Sequence, residues 1–134
     1  MSKARAGKEM HAVADNKVGI LADVSQWLAD KGVNIKSSCA YADAGKAHFL
    51  FVTTDNKKAV EILRARELSV SEEDVVMVEM QDKVGTLKDM AKKLKAAEID
   101  IKNMYGTASG VPNAPVLIVL STDDNKKAIS AING

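Results

Sequence analysis

The apolar positions of this chain change period several times, and each change marks an element. "MHAVA", Met10–Ala14, alternates as a short strand, and "DNKVGIL", Asp15–Leu21, breaks the alternation with a polar tetrad and a glycine. Leu21, Val24 and Leu28 then follow at three- and four-residue spacing, the stripe of an amphipathic helix. Gly32 is placed to end that helix as its C′ residue. "VNIKSSCAY" alternates again, "DAGK" turns, and "AHFLFVTT" is a second strand, so the pattern predicts a hairpin. "DNKKAVEILRAREL" opens with Asp55 or Asn56 as an N-cap and predicts a second helix. "LSVSEED" is long enough for a short last strand. The order is β-α-β-β-α-β.

The whole plan then returns. Shifted by 66, so that Gly19 falls on Gly85, "KVGILADVSQWLADKGVNIKS" lies over "KVGTLKDMAKKLKAAEIDIKN". Lys17/Lys83, Val18/Val84, Leu21/Leu87, Asp23/Asp89, Leu28/Leu94, Ile35/Ile101 and Lys36/Lys102 coincide. Further on the offset becomes 69, and "DNKKA" at Asp55–Ala59 recurs unchanged at Asp124–Ala128. The three extra residues fall near "ASGVPNAP", a Gly/Pro-rich turn that tolerates insertion. Two matches in the same order point to a duplication. The second copy begins with a strand at Val75–Met80, and its helix stripe is Leu87, Met90, Leu94 and Ala97. It stops at "AISAING", so its sheet either has three strands or is completed by another segment or subunit. The expected division is a flexible tail at 1–8, a first domain at 9–73, and a second domain at 74–134 lacking its last strand.

Composition narrows the function classes. Nineteen basic against eighteen acidic residues leave a charge of +1, with no long-range field to gather nucleic acid or an anionic membrane. No apolar run approaches the roughly 18 residues of a membrane span, and no apolar segment follows the basic "SKARAGK" as a secretory signal would require. A cytoplasmic protein is expected. The single Cys39 excludes an internal disulfide and a cysteine-rich zinc site. His11 and His48 become neighbours if the first and third strands pair, but with only Cys39 as a further soft ligand no metal and no cofactor are expected. No Ser/His/Asp arrangement, P-loop or G-x-G-x-x-G is present, so no catalytic residue is assigned and the protein is not expected to be an enzyme. Phe49 and Phe51 share a face, and packing under the helices explains them better than an RNA-binding sheet does.

The tandem β-α-β-β-α-β plan, the "DNKVGIL" junction and the "GVNI" start of the second strand resemble ACT domains, small ligand-binding modules of amino-acid metabolism. The closest likeness is to stand-alone proteins made of two such domains, and it covers roughly Met10 to the C-terminus. The resemblance implies an α+β fold of two ferredoxin-like domains, antiparallel sheets with helices on one face, within a homodimer. It also implies a small amino acid or related metabolite as ligand, held at a domain or subunit interface, and an enzyme of amino-acid metabolism as a partner. By position it assigns Asn16 and Gly19 of the loop, and Asn34 of the second strand, to the ligand. The His that serine-binding members carry two residues before the loop Asn is Ala14 here, and the usual loop proline is Val18. In the second copy the matching positions are Met80, Asp82, Val84, Gly85 and Asp100, with aspartate in place of both asparagines.

Elementary chemistry reaches the same junction. A helix N-terminus presents unpaired N–H groups and a partial positive charge, a cradle for a carboxylate. The N–H groups of Val18, Gly19, Ile20 and Leu21 suit that role, and Gly19 lets a ligand approach the backbone closely. Asn34 can accept from the ammonium group and donate to the carboxylate, and Asp15 or Asn16 adds an acceptor. The second candidate site is Asp82, Val84, Gly85, Thr86 and Asp100, whose aspartates favour ammonium and repel carboxylate. Plainer readings stand beside these. Asn16 and Asp82 also serve as simple N-caps, Gly19 as a close-packing helix residue, Asn34 as a turn residue, and Lys17 and Lys83 as solvated cations. The alternative function is a structural or interaction module that has lost its ligand and regulates an enzyme by association.

Overall fold

The computed structural model describes residues 2–134. Its elements are β1 (Lys3–Asp15), α1 (Ile20–Asp30), β2 (Ile35–Asp43), β3 (Lys46–Thr53), α2 (Asn56–Arg64), β4 (Ser69–Met80), α3 (Thr86–Ala96), β5 (Ile101–Thr107), β6 (Val116–Thr122) and α4 (Asn125–Asn133). They form two compact units: residues 8–73, the first domain, and residues 2–7 with 74–134, the second. Each is a four-stranded sheet with two helices, the ferredoxin-like arrangement expected from the sequence.

In the first domain the strand order is β2-β3-β1-β4, using Lys8–Asp15 of β1 and Ser69–Glu73 of β4. β3 runs antiparallel to both neighbours, with Ala12 opposite Phe49 and Ala40 opposite Phe49 from the other side. Alternate strand residues point to one face, so Met10, Ala12, Phe49 and Phe51 meet Val24 and Leu28 of α1 and Ala59 and Leu63 of α2. All eight are nearly inaccessible. Leu21 was expected in that stripe and is half exposed, because it lies in the first turn of α1, where the chain has only just left β1.

In the second domain the order is β1-β4-β6-β5. Val76, Val78, Ile118 and Leu120 pack against Met90, Leu94, Ala128 and Ile132. Leu87, like Leu21, is half exposed. The fourth strand is Lys3–Gly7, the segment expected as a flexible tail, and Met1 lies outside the described residues. It sits as a strand for stated reasons. Ala4 is buried in the core, and its N–H and C=O meet Asn133 Oδ1 and Nδ2 at 2.8 and 2.9 Å. Arg5 reaches Glu79 at 3.4 Å. The equivalent in the first domain is Val70, whose carbonyl accepts from Nε and Nη2 of Arg64 at 3.1 and 2.8 Å. Subtracting 66 from 70 gives 4, and adding 69 to 64 gives 133, so the same register is used twice.

The recurrence of "DNKKA" also has a structural cause. Asp55 and Asp124 cap α2 and α4, accepting from the N–H of Lys58 and Lys127 at 3.1 and 3.0 Å. Asn56 accepts from the Thr53 N–H and donates to the Lys8 carbonyl, both at 3.0 Å. Asn125 does the same with Thr122 and Asp74, at 3.0 and 3.1 Å. α1 ends in a Schellman turn, Val33 N–H to Leu28 C=O at 3.0 Å and Gly32 N–H to Ala29 C=O at 3.0 Å. α3 ends the same way, with Glu98 at φ 58° in the place of Gly32.

Candidate functional site: two helix-start junctions

Both junctions have the same backbone. Gly19 and Gly85 stand at the N-caps of α1 and α3 with φ of 89° and 90°, the left-handed region that strains any residue with a Cβ. A glycine cap offers no side chain, and no side-chain hydrogen bond caps either helix. The Ile20 and Thr86 N–H groups, the first expected among the free donors, instead donate to the Lys17 and Lys83 carbonyls at 3.2 and 3.3 Å. The other first-turn N–H groups lack the acceptor that Ser or Asp supplies elsewhere. Before each glycine stands a fully exposed valine, Val18 or Val84. With Leu21 and Leu87 half exposed, each junction shows apolar surface beside open N–H groups.

What surrounds the two junctions differs. Over the first, the β2–β3 turn comes close: the Asn16 N–H donates to the Gly45 carbonyl at 2.9 Å, and Lys46 Nζ donates to Asp15 at 2.5 Å. That bond first, and the Lys46 charge second, hold the exposed Asp15 carboxyl below the usual carboxylate range. Lys17 lies 3.8 Å from Asp23. Ile20 turns inward onto the first core.

Over the second junction the corresponding connection, from Thr107 to Val116, is longer, and cavities open. One of about 600 Å³ is walled by Lys3, Gln81–Lys83 and the loop Gly110–Pro115. A second of about 580 Å³ lies against Lys83, Val84, Thr86, Lys92 and Lys93. A third of about 280 Å³ reaches Asp82, Thr86, Leu87 and Met104. All three share Gln81 and Lys83. Volumes of this size hold small ligands. The three residues that shift the repeat offset from 66 to 69 thus belong to the connection that makes the wall.

Each expected residue can be placed. Asp15, Asn16, Val18, Gly19, Ile20 and Leu21 cluster at the first junction, and Asp82, Val84, Gly85 and Thr86 at the second. Asn34 is not brought to its own junction. It sits at the other end of the sheet, its N–H donating to Thr54 Oγ1 at 3.0 Å and its C=O accepting from the Thr54 N–H at 2.9 Å. Asp15 pairs with Lys46 at one end of these strands and Ile35 with Thr53 at the other. The eleven residues of α1 separate the ends, roughly 16 Å. Asp100 is equally remote from Gly85, bonded through its N–H and C=O to Asp123 at 3.1 Å each. Sequence reasoning missed Lys3 and the Gly110–Pro115 wall, although the three-residue step in the repeat marked where the wall stands.

The residues set aside from the sequence are also placed. His11 Nε2 lies 3.1 Å from His48 Nδ1, with Glu73 3.6 Å from His11 and Tyr41 stacked on His48. Among the described residues no group of three His, Cys, Asp or Glu is arranged to hold a metal ion. Cys39 is half-buried. No helix among the described residues is long and apolar enough to cross a membrane.

Solved structures share this arrangement. Protein BT0572 from Bacteroides thetaiotaomicron is 25% identical, with 97% of this chain and 88% of that one aligned at a TM-score of 0.88. The regulatory subunit of aspartate kinase from Thermus flavus is 15% identical over 98% of this chain and 94% of its own, with a TM-score of 0.70. That from Thermus thermophilus, in its ligand-free form, is 14% identical over 97% and 94%, with a TM-score of 0.67. At such identities the two kinase subunits speak to the fold alone. Among curated proteins, none matches the chain. The model of one family, described as the ACT domain pair, matches residues 8–133. With nearly its whole length matched and its two domains built on the same plan, the chain belongs to the ACT domain pair family.

Proposed function

We propose that this protein is a non-enzymatic regulatory module that binds a small amino acid at the second helix-start junction. The observation that carries the reading is the set of cavities converging on Gln81 and Lys83, beside the uncapped first turn of α3. A carboxylate accepts from the open N–H groups, and Gln81 and Asp82 supply oxygens for the ammonium group. Met80, Val111 and Pro112 give apolar surface for a side chain. The first junction, ranked ahead from the sequence, has the Gly45 turn bonded over it. Asn34 does not reach its own junction, so a homodimer in which a second copy supplies it belongs to the same reading.

The test is the thermal shift of the purified chain with each of the twenty amino acids. A ligand that binds only the folded state raises its stability, by about 2.7 kcal/mol at a hundredfold excess over Kd. One or a few amino acids are expected to do so, and Gly85→Val to abolish the shift. A flat panel overturns the reading and favours an interaction module that controls a partner enzyme by association.

A further inference from the structure

The two junctions differ in charge as well as in shape. Around the first, each cation has a counter-ion: Lys17 has Asp23 at 3.8 Å and Lys46 has Asp15. Around the second, the counterpart of Asp23 is Asp89, and it pairs with Lys88 at 3.3 Å. Lys83, the counterpart of Lys17, makes no ion pair among the described residues, and neither do Lys3 and Lys92. Lys3 and Lys83 line the cavity of about 600 Å³, and Lys83 and Lys92 the one of about 580 Å³. Lys93 is committed elsewhere, donating to the carbonyls of Ile132 and Gly134 at 3.0 and 3.2 Å. Of the carboxylates lining these cavities, Glu79 lies 3.4 Å from Arg5 and Asp89 is paired, which leaves Asp82. Three unpaired ammonium groups therefore face one unpaired carboxylate.

We infer that the second junction selects an amino acid with an acidic side chain, and that Lys3 and Lys83 contact its carboxylates. The inference rests on the amino-acid reading above and adds the class of ligand. A neutral zwitterion gains little from an excess of positive charge, whereas a second carboxylate gains a charge-assisted hydrogen bond. Asp82 keeps a role as the ammonium acceptor. The assignment of Lys3 has a mechanical consequence. Lys3 is carried on the strand that Ala4 and Asn133 seat against the second domain. A ligand that touches Lys3 binds the chain with this strand in place and holds it there by mass action. Occupancy of the site then controls how often Lys3–Gly7 leaves the edge of β4, a strand edge that another chain could pair with.

The experiment uses the full chain with L-aspartate, L-glutamate, L-asparagine and L-glutamine as probes, at low and high salt. Calorimetry is run on the native sequence, Lys3→Gln, Lys83→Gln and, as a control for lost surface charge, Lys57→Gln. One acid is expected to bind about tenfold or more tightly than its amide, with the advantage shrinking at high salt. Lys3→Gln and Lys83→Gln are each expected to weaken the acid about tenfold, the size of one charged hydrogen bond, and Lys57→Gln to leave it unchanged. Backbone hydrogen exchange over residues 3–7 is expected to slow when the acid is bound. An amide that binds as tightly as its acid, or an acid that binds both site variants at native strength, overturns the charge selection while the amino-acid reading stands. Exchange over residues 3–7 that ignores a bound acid overturns the contact with Lys3. Failure of all twenty amino acids to bind overturns both.

Discussion

The two domains of this protein are the same fold written twice, and they are most alike at the bonds that hold the fold together. The Asp55 and Asp124 caps, and the Thr53 and Thr122 hydroxyls that donate to Asn56 and Asn125, repeat atom for atom. So do the two left-handed glycines at the helix starts. The differences collect around those glycines. In the first domain a tight turn reaches the loop and each charge is matched, whereas in the second a longer connection stands back and leaves cations unmatched. A duplicated scaffold retains what folds it in both copies, and one copy is released to vary at the junction. That is why the similarity between copies is a guide to stability here, and the dissimilarity a guide to function.

The largest expected effect tests whether the closing strands are equivalent. Ala4 and Val70 are buried to the same degree, 9% and 8% exposed, and occupy matching positions. Ala4→Asp places a charge in the second core and is expected to cost roughly 3 kcal/mol or more. Val70→Asp should do the same in the first. Hydrogen exchange resolved by residue gives the readout: Ala4→Asp should deprotect 74–134 before 8–73, and Val70→Asp the reverse. If Ala4→Asp leaves exchange in β4 and β6 unchanged, Lys3–Gly7 is not a working strand of that sheet.

A smaller effect separates β2 from β5. Gly106 is the counterpart of Ala40, but a Cβ at Gly106 would lie 2.7 Å from Ile118 Cγ1 and 2.8 Å from the Leu117 carbonyl oxygen. The backbone oxygen cannot turn aside. Gly106→Ala is expected to cost about 1–3 kcal/mol, while Ala40→Gly costs about 0.5–1 kcal/mol through chain entropy alone. Chemical denaturation of the two variants checks both. Equal costs would mean that the β5–β6 pair can spread where the structure holds it close.

Much of this was legible in the residues. The repeat, the helix stripes and the "DNKKA" caps follow from local chemistry, and local chemistry is what a sequence displays. The pairing of Lys3–Gly7 was not legible, because "KARAG" has only alanines to bury and becomes a strand through Asn133 and an open sheet edge far away in the chain. The remoteness of Asn34 from Gly19 was hidden for a related reason. A motif places residues along the chain, and the length of α1 decides that these two stand at opposite ends of one domain. The wall at Gly110–Pro115 was half legible. Its three extra residues were countable, but the cavity needs Lys3 as its opposite side.

The smallest expected effect concerns what closes the first junction, Asp15 with Lys46 or the backbone bond from Asn16 to Gly45. Asp15 is 87% exposed, so the ion pair adds little to stability, and its signature is in titration. The bond from Lys46 favours the charged carboxylate and lowers the Asp15 pKa. A lowered carboxyl pKa contributes stability that is present above the ordinary carboxylate pKa and is lost as pH falls through the lowered one. The small contribution is therefore intact at neutral pH and disappears only in acid. Lys46→Met should return the Asp15 titration, followed by the carboxyl carbon shift in NMR, to the ordinary range. The Asn16 amide should stay protected in that variant, because its 2.9 Å bond to Gly45 uses backbone atoms only. If protection of Asn16 is lost together with the ion pair, the turn is held over the first junction by charge. In that case Lys46→Met should also open the first junction to the ligand proposed for the second.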